Sequence, residues 1–125
     1  MSKGEEHLIR ILRAANIKFE REKTFSDLKG GKFRYDFYLP FYNILIEVDG
    51  EQHFKQVKKF QKTRKDFLHQ QENDRRKNSY ALANRITLIR IPYWEIENIK
   101  SYTDLFQKKF IVTTKWHNDF LAPKK

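Results

Sequence analysis

The segment Ile44-Leu45-Ile46-Glu47-Val48-Asp49-Gly50 is the clearest structural signal in this 125-residue chain. Four aliphatic residues and two acids end at a glycine, which is typical of a short strand that a turn terminates. Because side chains alternate along a strand, Glu47 and Asp49 should share one face, with Ile46 on the other. The segment therefore predicts a strand with an apolar face and an acidic face.

A second strand is predicted from Phe33 to Leu39, shortly before this segment. A turn between the two would join them as a hairpin, in which Phe37 pairs with Ile46 and the apolar residues match. The same register places Asp36 opposite Glu47. Directly opposed residues have Cβ atoms about 5 Å apart, so the two acids should lie next to each other.

Three carboxylates, those of Asp36, Glu47 and Asp49, are thus predicted to converge on one face of the sheet. Like charges at that distance repel, so the cluster favours a bound cation. Hard oxygen ligands in a chain without cysteine suit Mg²⁺ or Mn²⁺. The alternative is that these acids are solvated edge charges or ion-pair partners of Arg34 and Arg90.

One histidine, His53, lies four residues after Asp49 and beyond the turn at Gly50. An imidazole beside such acids can act as a general base, as a proton donor to a leaving oxygen or as a metal ligand. A purely structural histidine is the alternative. The sequence leaves these roles open.

Hydrophobic periodicity and turn residues place further elements around the hairpin, in the order αβββαβ with helical additions. The chain length fits one domain, residues 1–125, with a core at about 4–94 and a helical C-terminal extension at 95–122. The further elements are a helix at about 4–15, a strand around Ile17 to Phe25, a turn at Asp27 to Lys32, a helix from Gln71 to Asn84, a strand from Ile86 to Ile91 and a last helix from Ser101 toward Lys109.

The chain is strongly basic. Its 26 Lys and Arg residues against 16 Asp and Glu give a net charge of +10, while 11 Phe and 6 Tyr supply material for a core. Excess positive charge favours a polyanionic partner, and nucleic acid is the commonest because bound cations release counterions from its phosphates. An anionic membrane surface is the alternative partner.

Cysteine is absent, which excludes disulfides, cysteine-based zinc sites and thiol nucleophiles. The first residues show no apolar signal core, and no stretch approaches the ~20 apolar residues that a membrane span requires. We therefore expect a cytoplasmic protein without membrane contact, in the host cytoplasm if a phage encodes it.

Several segments together resemble the PD-(D/E)xK nuclease superfamily, in the branch related to very short patch repair and phage homing-type endonucleases. The resemblance covers about residues 2–94 and implies a restriction-endonuclease-like α/β core with a mixed four-stranded sheet. The segments are Glu5 in the first helix, Tyr35-Asp36-Phe37, Ile46-Glu47-Val48-Asp49-Gly50-Glu51-Gln52-His53, Asp74-Arg75-Arg76-Lys77 and Leu88-Ile89-Arg90-Ile91-Pro92.

The resemblance implies that Asp36 is the central metal ligand and that Glu47 fills the acidic position of the superfamily motif. Asp49 stands where the usual pattern has a lysine, so the missing positive charge must come from elsewhere. Lys77 and His53 are the two alternatives for it.

The first helix of the superfamily carries an acid, and Glu5 matches that position. Glu6 lies beside it, and spacing does not separate the two. With this acid, the residues predicted to be catalytic are Glu5, Asp36, Glu47, Asp49, His53 and Lys77, and those predicted to bind the metal are Asp36, Glu47 and Asp49.

Two basic runs flank the predicted site and are predicted to contact phosphates, which would provide affinity but no sequence readout. A solvated surface is the alternative for each cation. The aromatic residues are interpreted as core contacts rather than as groups on which bases stack; they are Phe54, Phe60, Phe67, Trp94 and Trp116. The cations predicted to bind DNA are Lys55, Lys58, Lys59, Lys62, Arg64, Lys65, Arg75, Arg76 and Arg90.

The resulting hypothesis is an endonuclease that hydrolyses DNA phosphodiester bonds with Mg²⁺ or Mn²⁺. Sequence-specific cleavage by one compact domain would need a homodimer or a partner protein. Two alternatives remain: a non-catalytic nucleic-acid-binding module that retains the nuclease fold, and a basic structural protein such as a ribosome-associated one.

Overall fold

A computed structural model of the chain describes residues 1–54 and 63–115. Within them the elements follow the order αβββαβ, as predicted. The helices and strands are α1 (Lys3–Ala14), β1 (Glu20–Lys23), β2 (Tyr35–Leu39), β3 (Ile44–Asp49), α2 (Arg64–Ala83) and β4 (Thr87–Pro92). Short 3₁₀ helices are Lys29–Gly31, Glu51–His53, Tyr93–Asn98, Tyr102–Phe106 and Lys108–Phe110.

The four strands form one mixed sheet in the order β1-β2-β3-β4. The first three are antiparallel, whereas β4 runs parallel to β3 after the crossover through α2. Phe37 pairs with Ile46, and Leu39 pairs with Ile44. The predicted hairpin register is therefore confirmed, and the chain is an α/β protein with a mixed four-stranded sheet flanked by helices.

The sheet separates two apolar clusters. On one face Ile44 and Ile46 pack with Leu8 and Leu12 of α1 and with the C-terminal 3₁₀ helices. On the other face a smaller cluster joins Leu45 to α2. This alternation follows from the period of two along β3 and sets which face each acid occupies.

Helix α1 begins at a capping box. Oγ of Ser2 accepts the amide N–H of Glu5, and the Glu5 carboxylate accepts the amide N–H of Ser2. The next contact explains the glycine in the first turn, because a Cβ added at Gly4 would lie 2.8 Å from Cγ1 of Val48. The first turn of α1 therefore lies directly against the end of β3.

Helix α2 starts at Arg64, earlier than the predicted start at Gln71. Thr63 and Asp66 form a second capping box, in which Oγ1 of Thr63 accepts the amide N–H of Asp66. The segment that the sequence presents as a basic run thus contains the first turn of this helix.

The predicted last helix is replaced by two 3₁₀ helices. Ser101 and Asp104 form the predicted cap, but Gln107 has an extended backbone conformation that ends the turn. This break allows both Leu105 and Phe110 to enter the core. None of the helices within the described residues combines the length and the apolar character that crossing a bilayer requires.

Candidate active site

The acidic pair Asp36 and Glu47 lies where the backbone ladder between β2 and β3 ends. That ladder extends to the pair Phe37 and Ile46. Beyond it, hydrogen bonds from backbone amides to the two carboxylates connect the strands. The amide N–H of Asp36 donates to Oε1 of Glu47 over 2.9 Å, and that of Val48 donates to Oδ2 of Asp36 over 2.8 Å. Each carboxylate is therefore fixed by the backbone of the opposite strand.

The electrostatics of this pair are unfavourable as it stands. Burial and the neighbouring carboxylate of Glu47 raise the pKa of Asp36 to about 8, although the amide N–H of Val48 and the charge of Lys77 oppose the shift. Glu47 is 3% exposed. Two acids in a largely dehydrated position repel each other unless a proton or a cation lies between them. A cation at this point would therefore relieve an existing electrostatic cost.

A lysine from α2 forms an ion pair with one of these two acids. Nζ of Lys77 lies 3.1 Å from Oε1 of Glu47 and 5.1 Å from the ring centroid of Tyr35. The hydroxyl of Tyr35 donates to the backbone carbonyl of Lys77 over 2.8 Å. Tyr35 is buried, so one rigid side chain positions both the backbone and the ammonium group of the lysine.

The helix acid Glu5 reaches the same place from α1. Its Oε1 pairs with Nη2 of Arg21 at 3.0 Å, and Nε of Arg21 donates to the backbone carbonyl of Asp36 over 3.2 Å. The charge of Glu5 also contributes to the raised pKa of Asp36. Arg21 had no assigned role in the sequence, where it is one cation among many near the first strand.

These side chains surround an open cavity of about 920 Å³. The structure brings together five of the six residues predicted to be catalytic, and Glu6 is exposed outside this lining. The five are Glu5, Asp36, Glu47, His53 and Lys77.

Asp49, the sixth predicted residue, is placed differently. Its carboxylate is 3% exposed and pairs with Nη1 of Arg90 over 2.8 Å. It lines a second cavity of about 270 Å³ rather than the first. The predicted convergence of three carboxylates thus reduces to Asp36 and Glu47. Across residues 1–54 and 63–115, no three His, Asp or Glu side chains group in a way that could hold a metal ion.

The prediction that Arg90 contacts phosphate is wrong, because the structure places this residue in the interior at 1% exposure. Its Nη1 binds Asp49, and its Nε donates to Oδ1 of Asn78 over 2.6 Å. Its Nη2 lies 3.6 Å from Oδ1 of Asp74. Arg90 is internal because Asp49 and Asp74 are buried acids that need an internal cation. We call Asp49, Asp74, Asn78 and Arg90 the buried charge network.

His53 connects this network to the cavity. Its Nδ1 lies 2.7 Å from Oδ2 of Asp74 and 3.7 Å from Oδ1 of Asp49. Nδ1 is thereby engaged, so a group bound in the cavity would meet Nε2. The sequence does not predict a functional role for Asp74, because a single acid on a charged helix gives no signal of its burial.

The environment of His53 predicts a pH dependence of stability. Burial lowers its pKa, but the hydrogen bond to Asp74 and the charges of Asp49 and Asp74 outweigh this effect and the charge of Arg90, so the pKa is raised. A raised pKa stabilises the fold fully below the unfolded value of 6.5, and this stabilisation is lost as pH rises through the folded value.

The raised pKa of Asp36 changes stability in the same pH range, so the comparison is made between Asp36→Asn and the double variant Asp36→Asn with His53→Gln. Between about pH 6 and about pH 9, the double variant should lose less free energy of unfolding than Asp36→Asn alone. Urea denaturation at the two pH values measures the difference. Equal losses in the two proteins would contradict the proton balance assigned to His53.

The predicted phosphate contacts are only partly described. Arg64 and Lys65 are exposed at the start of α2. Arg75 and Arg76 are also exposed, and both pair with Glu72 on the same helix. Four of the predicted contacts lie outside the described residues: Lys55, Lys58, Lys59 and Lys62. Arg34, which the sequence offers as an alternative partner for the acids, has its Nη1 4.0 Å from Oε2 of Glu22 instead.

The cavity has cationic and aromatic lining that the sequence did not reveal. Lys3, His7 and Arg10 of α1 line it, as do Tyr93 and Trp94. The prediction that Trp94 is a core residue is wrong, because this side chain is 57% exposed, whereas the prediction that Phe67 is buried is confirmed. Phe54 is half-buried against Trp94, and Phe60 and Trp116 lie outside the described residues.

Comparison with known proteins adds one relative and no family. No family model and no solved structure matches the chain. A segment of 76 residues is 34% identical to "Uncharacterized protein 307L" of Invertebrate iridescent virus 6. The match covers 59% of this chain and 38% of the viral protein. The chain is thus similar to less than half of this relative's length.

Proposed function

We propose that this protein is an endonuclease that hydrolyses DNA phosphodiester bonds with Mg²⁺ or Mn²⁺, built on a restriction-endonuclease-like core. The observation that carries the proposal is the buried pair Asp36 and Glu47 with Lys77 on the second acid, at the wall of an open cavity. A net charge of +10 supports a polyanionic substrate.

The residues present fit a magnesium ion. Asp36 and Glu47 supply hard carboxylate oxygens, and the raised pKa of Asp36 reflects a position that favours an added positive charge. Mg²⁺ typically binds through one or two protein carboxylates and takes its remaining ligands from water and substrate phosphates. Two converging acids are therefore enough, and Asp49 is not required.

When bound, the metal would polarise the phosphoryl group and favour a hydroxide nucleophile near neutral pH. The chain's own residues would supply the charge stabilisation and the proton transfer. Lys77 would place a positive charge beside the phosphate and so offset the negative charge that develops as the nucleophile attacks. Tyr35 would keep that charge in position through the backbone of α2.

His53 would handle a proton at Nε2. Its Nδ1 is held by Asp74, which fixes the ring orientation and stabilises the imidazolium form. In this form Nε2 carries a proton that can pass to the leaving oxygen. In the neutral form with the proton on Nδ1, Nε2 can instead accept one from the attacking water. The geometry serves either role.

The test is cleavage of supercoiled plasmid by the purified protein. Nicked or linear product should form with Mg²⁺ or Mn²⁺, and EDTA should abolish it. Binding of DNA without metal-dependent product would favour the second candidate, a non-catalytic nucleic-acid module. The pairing of Asp49 with Arg90 is the observation that favours this second candidate, since it withdraws one acid from the site.

Lys77→Met should reduce the cleavage rate by about 10² to 10³-fold, the usual loss when one transition-state charge contact is removed. Methionine retains most of the side-chain volume, so packing on Tyr35 should persist. Lys100→Met, at an exposed lysine outside the cavity lining and outside the predicted phosphate contacts, is the matched control. Similar rates for the two variants under saturating Mg²⁺ would remove Lys77 from the proposed site.

A further inference from the structure

Two parts of the cavity lining differ sharply in chemistry. The first is a stripe of Lys3, His7 and Arg10, whose spacing places these residues along one side of α1. Lys3 and Arg10 carry its positive charge, and Nε2 of His7 lies 2.6 Å from the backbone carbonyl of Ile99. All three line the cavity, and Lys3 and Arg10 are exposed. At 1.5 Å per residue the stripe is about 10 Å long. Lys3 and Glu5 both lie in the first turn of α1 and both line the cavity, so the stripe starts near the carboxylate site.

The second part is an aromatic platform formed by Tyr93 and Trp94, against which Phe54 packs from outside the lining. The ring centroids of Trp94 lie 4.7 Å from Phe54 and 5.1 Å from Tyr93. Trp94 is 57% exposed and Tyr93 is 44% exposed, so much of the aromatic surface faces solvent. Pro92 ends β4 just before the platform, and Phe54 directly follows His53.

The combination distinguishes between forms of nucleic acid. In an intact duplex the base faces are covered by stacked neighbours, so a duplex would offer phosphates to the stripe and nothing to the platform. A single strand offers both phosphates and uncovered base faces. Proteins that bind single strands combine a cationic groove with aromatic side chains on which bases stack. This cavity has both features beside one pair of acids.

We propose that the cavity binds a single-stranded segment of DNA, with its phosphates along Lys3 and Arg10 and its bases on Tyr93 and Trp94. The inference rests on the proposed function in one respect, namely that the ligand is nucleic acid. It assigns the substrate class: cleavage should favour strands, flaps or bubbles over fully paired duplex. Glu97 also lines the cavity and is an exposed acid that the strand must pass.

The first test measures binding without cleavage, in EDTA, by fluorescence anisotropy of a labelled thymidine oligonucleotide and of a duplex of equal length. The single strand should bind more tightly. Trp94→Ala should weaken single-strand binding about tenfold, the usual loss for one stacked base, and leave duplex binding unchanged. Trp94→Phe should retain most of the affinity. Phe41→Ala is the control, since Phe41 is 76% exposed but lies on the β2–β3 turn.

The second test addresses the stripe. Lys3→Gln and Arg10→Gln should each reduce the slope of log affinity against log salt by about 0.7 for the single strand. Arg13→Gln on the same helix lies outside the lining and is the control. An unchanged slope in both lining variants would overturn the assignment of phosphates to α1.

The outcomes separate the two proposals. Equal affinity for single strand and duplex, with no effect of Trp94→Ala, would overturn the strand inference even if plasmid is cleaved. Selective single-strand binding that depends on Trp94, with no cleavage under any divalent cation, would support the strand inference while the proposed function fails.

Discussion

Asp36→Asn should abolish metal-dependent cleavage, with a loss of about 10³-fold or more in rate, and should at the same time raise the melting temperature. The loss of activity follows because the variant removes the charge that would bind the metal. Asparagine has the same shape and can still accept the amide N–H of Val48. Its amide group can also donate to Glu47. The change therefore removes charge with little change in packing.

The gain in stability follows from the sign of the pKa shift. The carboxyl of Asp36 has a folded pKa of about 8, above its ordinary value of 3.8. The folded state thus binds this proton more tightly than the unfolded state does, so stability falls as pH rises from about 4 to about 8. The asparagine of the variant is neutral throughout, so the advantage of the variant should be absent at low pH and largest above pH 8.

Thermal denaturation without divalent cations measures this effect, and we expect a rise of about 5 °C at pH 8, corresponding to about 1 to 2 kcal/mol. Mg²⁺ should then stabilise the wild-type protein and not the variant, since only the former binds the ion. Glu6→Gln, an exposed acid on α1, is the control and should change neither quantity. A variant that is less stable than wild type at pH 8 would contradict the account of a strained acidic pair.

Arg90→Met should have the largest effect on stability, a loss of about 3 to 5 kcal/mol in the free energy of unfolding. Arg90 is buried, and its removal would leave Asp49 and Asp74 without their cation. Asn78 would also lose the donor for its Oδ1. An uncompensated buried charge is among the most costly changes that one substitution can make.

Urea denaturation at neutral pH measures this loss. Adding Asp49→Asn to Arg90→Met should recover part of it, because one of the uncompensated charges disappears, and the two single variants complete a double-mutant cycle. Arg90→Lys should lie between wild type and Arg90→Met, since it keeps a charge but cannot reach all partners. A loss below about 1 kcal/mol in Arg90→Met would show that the network contributes little net stability.

The hairpin could be predicted because its signals are local. The alternation along β3 and the match of apolar pairs fixed one register, and Asp36 and Glu47 came together as predicted. The binding partner of Asp49 could not be predicted, because periodicity gives the face of a side chain and not the group that contacts it. Its neighbour could be a metal or Arg90, and only the parallel pairing of β3 with β4 brings the guanidinium within 2.8 Å.

The true length of α2 was hidden for a related reason. A helix is predicted from an apolar stripe, but the buried side of α2 carries Asp74 and Asn78 together with Phe67 and Ala81. The pattern Thr63-x-x-Asp66 was the available signal for its start. The exposure of Trp94 had no such signal, because a 3₁₀ helix after a strand has no periodicity that separates a core aromatic from a surface one.

Three residues within about one turn of α2 contact side chains in or beside the site. Asp74 holds His53, Lys77 holds Glu47, and Asn78 binds Arg90. All three contacts require the same rotation of the helix about its axis. A residue inserted between Asp74 and Lys77 would rotate everything beyond it by about 100° and would separate the lysine from the histidine. Insertions in the loop after α2 would leave this rotation unchanged, so variation in length among related chains should be confined to such places.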